Sequence, residues 1–317
     1  MKKSLVLAAL AATVAAPAFA QSSVTVYGRL NVTLERSKFV GEDKTYDVNN
    51  NGSRIGFKGV EDLGGGLKAG FILEHRFDPS TGTQSATAFW GGAGQSEVNL
   101  SGNFGMIRAG LFTAESYFAT SDWIDMHNHG TGDSADALYV GYGAVGNKVA
   151  YRTPTMGTFW AEASVAEQDA SVTGRYYDLA ANYDIGALKL GAGYSKAGDA
   201  KQFAIRALYE MGAFTFGGYY QRHTDQFLAS GLDGSANNFR LAAMYTMGAT
   251  ELHVNYGQVG DIGGTDGTDA KQATVGINQN LSKRTKIYGY YTKLGGAGAD
   301  LYGSAQNHFA LGVRHNF

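Results

Sequence analysis

The chain has 317 residues, no cysteine, 45 glycines and a formal charge of −2. That mild acidity gives no reason to expect a nucleic-acid partner, and the absence of thiols excludes a disulfide framework. Apolar residues make up 44%, yet beyond the N-terminus no stretch approaches 18 unbroken apolar positions, so membrane-spanning helices are not expected.

In chain order the first element is a leader. Lys2 and Lys3 precede a short apolar run, Leu5 to Ala16, and Ala18-Phe19-Ala20 is a small-x-small cleavage site. The run is too short to span a bilayer. Residues 1–20 therefore read as a cleaved signal peptide, with the mature chain at 21–317. Losing two lysines takes its charge to near −4, and only Pro79 and Pro154 remain as prolines.

Alternation begins at once. Val24, Val26, Leu30, Val32 and Leu34 are interleaved with Thr25, Arg29, Asn31 and Thr33, a strand apolar on one face and polar on the other. Short Gly-bearing or polar turn signals follow at 62–66, 101–105, 153–157, 184–186, 210–212, 246–248 and 281–284, where glycine supplies the positive φ of tight hairpins. Longer polar stretches separate them at 36–52, 78–95, 112–147, 167–174, 197–200, 223–237, 259–270 and 294–305. Seven short turns and eight long loops predict sixteen strands. The last ends on Phe309, Leu311, Val313 and Phe317, alternating again.

Composition alone is also compatible with a soluble periplasmic β-protein, and periodicity cannot say which face is inside. Strand number can. Sixteen strands enclose a lumen too wide for side chains to fill, so the lining must be polar and hydrated and the apolar face must meet lipid. The expectation is an all-β, sixteen-stranded antiparallel transmembrane β-barrel with periplasmic turns and extracellular loops. Tyr183, Tyr194, Tyr209, Tyr220, Tyr245 and Tyr256, near strand ends, suit its interfacial girdles.

The segment Ser53-Arg-Ile-Gly-Phe-Lys-Gly-Val-Glu-Asp-Leu-Gly-Gly-Gly-Leu-Lys-Ala-Gly-Phe71, the opening Val24-Thr-Val-Tyr-Gly28, Leu281-Ser-Lys-Arg-Thr285 with Tyr288, and the terminal Gly312-Val-Arg-His-Asn-Phe317 resemble the general diffusion porins of β-proteobacteria. The likeness runs from about Ser22 to Phe317. It implies a homotrimeric, water-filled channel in the outer membrane, among lipids and lipopolysaccharide, passing ions and small hydrophilic solutes. It also implies a third loop folded into the lumen, and a terminal Phe317 that signals to the barrel-insertion machinery.

The residues support an inserted loop independently. The connection over 112–147 is the longest in the chain, and structureless loops of that length are usually functional; the alternative is an ordinary surface loop. It carries Glu115, Asp122, Asp125, Asp133 and Asp136, with aromatics to pack it against a wall. Strand parity places Arg29, Arg54, Lys58, Lys68, Arg76, Arg108 and Arg152 on the polar face, with Glu35, Glu74 and Glu97. A basic wall opposite an acidic loop would set a transverse field across a narrow passage, although neighbouring charges could merely neutralise one another. Family members often carry paired arginines on the fourth strand. Gly94-Gln-Ser-Glu-Val-Asn-Leu100 lacks them and turns Glu97 inward, so weak selectivity leaning to cations is expected.

Three other signals carry little. Gly141-Tyr-Gly-Ala-Val-Gly146 fits a dinucleotide motif, but a strand follows it where a helix is needed, so no cofactor is expected. Asp122, Asp125, His127, His129 and Asp133 crowd one loop without the spacing of a known metal site. No histidine has a serine and an acid at suggestive spacing, so no catalytic residue is assigned. A substrate-specific channel and a plugged structural or adhesive barrel are the competing functions.

Overall fold

The computed structural model describes residues 23–84, 89–90, 94–126, 136–167, 174–224, 231–232, 234–303 and 306–317. The leader at 1–20, and His127, His129 and Asp133, lie outside the described residues.

The strands are β1 (Ser23–Phe39), β2 (Thr45–Asn50), β3 (Arg54–Gly64), β4 (Leu67–Asp78), β5 (Thr83–Gln84), β6 (Gln95–Gly102), β7 (Gly105–Thr113), β8 (Ala144–Arg152), β9 (Phe159–Ala166), β10 (Tyr176–Ile185), β11 (Leu188–Ala197), β12 (Ala200–Met211), β13 (Phe214–Thr224), β14 (Ser235–Met247), β15 (Thr250–Val259), β16 (Ala270–Asn280), β17 (Thr285–Gly295) and β18 (Gln306–Asn316). β2 and β3 are two parts of one stave, since both pair with β1 and only three residues separate them. β5 is a two-residue stub on β4. Setting those two labels aside, the 18 strands reduce to the sixteen staves read from the sequence. β1 pairs antiparallel with β18 as well as with β2 and β3, so the sheet closes on itself and has no free edge.

The barrel is inside-out relative to a soluble core. On β12 the apolar positions Phe203, Ile205 and Tyr209 are 45–46% exposed, while Gln202 and Arg206 between them are 1% and 5% exposed. The same contrast sets Phe239 and Leu241 against Arg240 on β14. A wall oily outside and polar within is stable only with acyl chains around it.

The tight turns use glycine as expected. β10 to β11, β12 to β13 and β14 to β15 are joined by Gly186-Ala187, Gly212-Ala213 and Gly248-Ala249, with φ near +60° at each glycine. Positive φ at only the first of two residues is the II′ hairpin. One loop boundary differs from expectation. The stretch 36–52 is mostly strand, because β1 runs to Phe39 and β2 starts at Thr45. β2 does alternate, with Tyr46 and Val48 exposed between Thr45, Asp47 and Asn49, but its six residues lie in a polar run too short to read as a strand. The wall is lowest over β6 to β9, eight or nine residues each, and there the chain between β7 and β8 turns inward.

Candidate functional site

After β7 the chain forms a short helix, α1 (Glu115–Ala119), laid against β10 and β11 inside the barrel. The wall is hollowed to receive it. A Cβ on Gly191 would collide with the Ala119 carbonyl, and one on Gly193 would lie 2.7 Å from the Ser116 carbonyl oxygen. Further round, a Cβ on Gly217 would come within 2.8 Å of Ile124 Cδ1. Lumen-facing glycines on β11 and β13 thus make the space the loop occupies.

Polar contacts fix both limbs. The Ser116 amide donates to Asp178 (3.1 Å), and Glu115 pairs with Arg108 (3.0 Å) and Arg152 (2.7 Å). The returning limb is held by Asp136 on Arg240 (2.9 Å), with Tyr219 also donating to Asp136. Asn238 donates to the Leu138 carbonyl (2.6 Å), and Gln221 both accepts from the Val140 amide (3.0 Å) and donates to its carbonyl (2.7 Å). Arg240 is fully buried and also donates to Gln272 and Asn255.

The loop therefore fills the β10–β16 side of the lumen and leaves a passage along β18, β1, β3 and β4. This cavity, of about 980 Å³, is lined on the barrel side by Arg29, Arg54, Lys58, Arg76, Arg314 and Glu74. Asp122 faces them from the loop, with Tyr117, Phe118 and Trp123 beside it. Glu74 is shared between Arg54 (3.4 Å) and Arg76 (3.5 Å), and Tyr27 donates to it (3.2 Å). Five cationic side chains meet two acidic ones, a side-chain excess of three positive charges.

The other site residues group differently. Arg108 binds Glu97 (3.2 Å), Glu115 and Glu162 at once, and Arg152 binds Glu115 and Glu162. Arg108 also stacks over Phe112 and Arg152 over Trp160. Two arginines and three glutamates form a nearly neutral clasp at the root of the loop. Glu97 is thus closed against Arg108 and does not line the passage, so the basis for a cation lean is gone. Burial raises the Glu115 carboxyl above the usual range, against the opposing pull of Arg152. Asp125 is buried near Arg240, not opposite the arginine wall. Glu35 is tied within the wall by Thr33, Asn49 and Tyr290.

Sequence reading did not single out Arg314 or Glu162; it placed Arg240 on the polar face and Asp136 in the loop without joining them. Arg314 comes beside Arg29 and Arg54 only because the last strand closes on the first, Asn31 opposite Arg314. Among the described residues no cluster of metal-ligating side chains occurs. Ser37 and His308 do meet (2.7 Å), but both are buried, and the second ring nitrogen faces Gln306.

The Gram-negative porin family matches residues 6–298. The chain belongs to that family. Outer membrane porin protein 32 of Delftia acidovorans is 32% identical over the full length of both chains, and the major outer membrane protein P.IB of Neisseria lactamica 28% over the same extent. Among solved structures, an anion-selective porin from Comamonas acidovorans matches with a TM-score of 0.72 and 28% identity, covering 94% of this chain and all of that one. OmpF of Salmonella typhi shares the fold, with a TM-score of 0.73 at 16% identity over 93% of this chain. This porin is accordingly an outer-membrane protein with a water-filled channel for passive diffusion.

The glycine seat gives a direct test. Gly191→Val cannot coexist with α1 in its observed position, so the loop is expected to lift from β11. Single-channel conductance of the purified porin should rise, and overpacking should lower its unfolding midpoint by an amount equivalent to about 1–3 kcal/mol. A folded variant with unchanged conductance would mean that the seat does not set the loop's position.

Proposed function

We propose that this porin passes small ions and hydrophilic solutes with a moderate preference for anions. The observation that carries the reading is the passage lining, where Arg29, Arg54, Lys58, Arg76 and Arg314 outweigh Glu74 and Asp122. A unit charge acts with about 1 kcal/mol at 4 Å in water. Salt then screens each charge over roughly 10 Å at 0.1 M, which keeps the preference moderate. A relative that is itself named an anion-selective porin, at 28% identity, supports the same sign. Neither a plugged barrel nor covalent chemistry is part of this reading, since the cavity beside the loop is open and polar on its barrel side.

The working unit is proposed to be a homotrimer, supported by a fold neighbour, OmpT of Vibrio cholerae, described in a trimer form. Removal of residues 1–20 precedes folding, and Phe317 is offered to the insertion machinery. Reversal potentials of the purified porin across a planar bilayer in a KCl gradient test the selectivity. A potential of the sign set by chloride is expected. A potential set by potassium overturns it.

A further inference from the structure

The loop side of the passage is chiefly aromatic. Among the described loop residues that line it only Asp122 is acidic, while Tyr117, Phe118, Trp123, Tyr139 and Tyr142 carry rings. Rings that serve to pack the loop are covered. Tyr117 and Tyr139 are of that kind: half-buried and edge-on to each other at 5.8 Å. Tyr139 is also edge-on to Tyr219 at 5.5 Å, and its hydroxyl is hydrogen-bonded to Thr120 (2.9 Å). Phe118 and Trp123 are not of that kind. They remain 37% and 47% exposed beside the open passage.

Their backbone is nevertheless fixed. The Thr120 and Asp122 amides donate to the Tyr117 carbonyl (3.2 and 3.3 Å), and the Ile124 amide to the Ser121 carbonyl (2.9 Å). The chain neighbours of both rings are anchors, Ala119 against Gly191 and Ile124 in the hollow at Gly217. Trp123 is further held by the Arg206 guanidinium, 5.6 Å from the ring centre, which itself donates to Asn182 (3.2 Å) and to the Leu190 carbonyl (3.1 Å). Two large apolar surfaces are thus held out toward water on a rigid arm, an arrangement that hydration opposes and packing does not require.

Across the passage the barrel wall presents Arg29, Arg54, Lys58, Arg76 and Arg314 with Glu74. One wall of guanidinium groups and one of rings is complementary to a solute that is anionic at one edge and aromatic over its body. A carboxylate accepts paired N–H donors from an arginine, while a flat ring stacks on, or meets edge-on, the rings of the loop. An aliphatic carboxylate satisfies only the first wall, and a neutral aromatic only the second. Resting on the anion preference argued above, we propose that the passage holds a site for small planar aromatic carboxylates, between Phe118 and Trp123 on the loop and the arginines of β1, β3 and β18. The rings cost little to engage, because the backbone that carries them is already ordered. Such solutes are retained in transit, while chloride passes without being held.

The test records single-channel current of the purified porin in KCl at neutral pH as a solute is added. Benzoate should half-block the current at a concentration about tenfold below that of acetate, and about tenfold below that of uncharged benzamide. Cyclohexanecarboxylate, of equal charge and similar bulk but without a flat ring, should fall between benzoate and acetate. In the double variant Phe118→Ala, Trp123→Ala the benzoate value should rise about tenfold, to near that of acetate. The site is overturned if benzoate blocks no better than acetate, if cyclohexanecarboxylate or benzamide blocks as well as benzoate, or if the double variant is blocked like the wild type. Should the variant not fold, the wild-type solute series decides. Reversal potentials of the same channels in a KCl gradient separate the two readings. A chloride-set potential without preferential benzoate block removes this site alone, whereas a potassium-set potential removes the anion preference and the site with it.

Discussion

Replacing Arg29, Arg54 and Arg314 together by glutamine is expected to abolish the anion preference and lower the anion-to-cation permeability ratio about tenfold. The three line one stretch of the passage, brought together by the closure of β18 on β1 and the pairing of β1 with β3. Their loss leaves Lys58 and Arg76 against Glu74 and Asp122, a lining whose side chains carry no net charge. Each charge contributes up to about 1 kcal/mol at contact distance in water. Distance and salt reduce the sum to about 1.4 kcal/mol, or a factor of ten. Glu74 keeps Arg76 (3.5 Å), so the substitution does not strand a buried carboxylate. Reversal potentials in graded KCl read the ratio. If the triple variant conducts normally with the wild-type potential, the arginine wall is not the selectivity element.

The second large effect concerns stability. Arg240→Met removes a fully buried guanidinium and leaves Asp136, 5% exposed at its side chain, without its ion pair. Breaking one partner of a buried pair costs about 3–5 kcal/mol, chiefly because the remaining charge is stranded. The unfolding midpoint in urea should fall accordingly, and the limb at 136–140 should come away from β14 and β15, making single-channel current noisy. The double variant Arg240→Met, Asp136→Asn separates charge from packing. Its amide oxygen can still accept from the Leu138 amide, as Asp136 does at 2.9 Å, so most of the lost stability should return. A double variant as unstable as the single one would show that the guanidinium acts by filling space.

These outcomes depend on features of unequal visibility in the sequence. Alternation was legible wherever a strand crosses lipid, because one face must be apolar there; Phe203 to Tyr209 is a clear case. It is hard to read in a strand as short and polar-rich as β2, hence the misplaced loop at 36–52. Arg54 and Arg29 were legible from parity within their own strands. Arg314 was not, since its neighbours are set by which strand closes the circle. Parity also gives a residue's side and not its partner, so Arg108 and Glu97 read as two lumen charges when they belong to one clasp with Glu115, Glu162 and Arg152. The seat of the loop was hidden for a similar reason. Gly191, Gly193 and Gly217 look like ordinary strand glycines until the chain from 115 to 124 lies across them.

The seam has a temporal side. Gly28 and Phe317 exchange backbone hydrogen bonds (3.0 and 3.1 Å), and the Phe317 ring occupies the space a side chain at Gly28 would need. Phe317 thus docks on the first stave, so a chain lacking β18 has an open sheet with two unpaired margins. Sealing pairs β1 with β18, the two strands farthest apart in the sequence, which makes it a slow step by nature. Until then the sheet is a ribbon with two open edges, each a template on which another chain could pair.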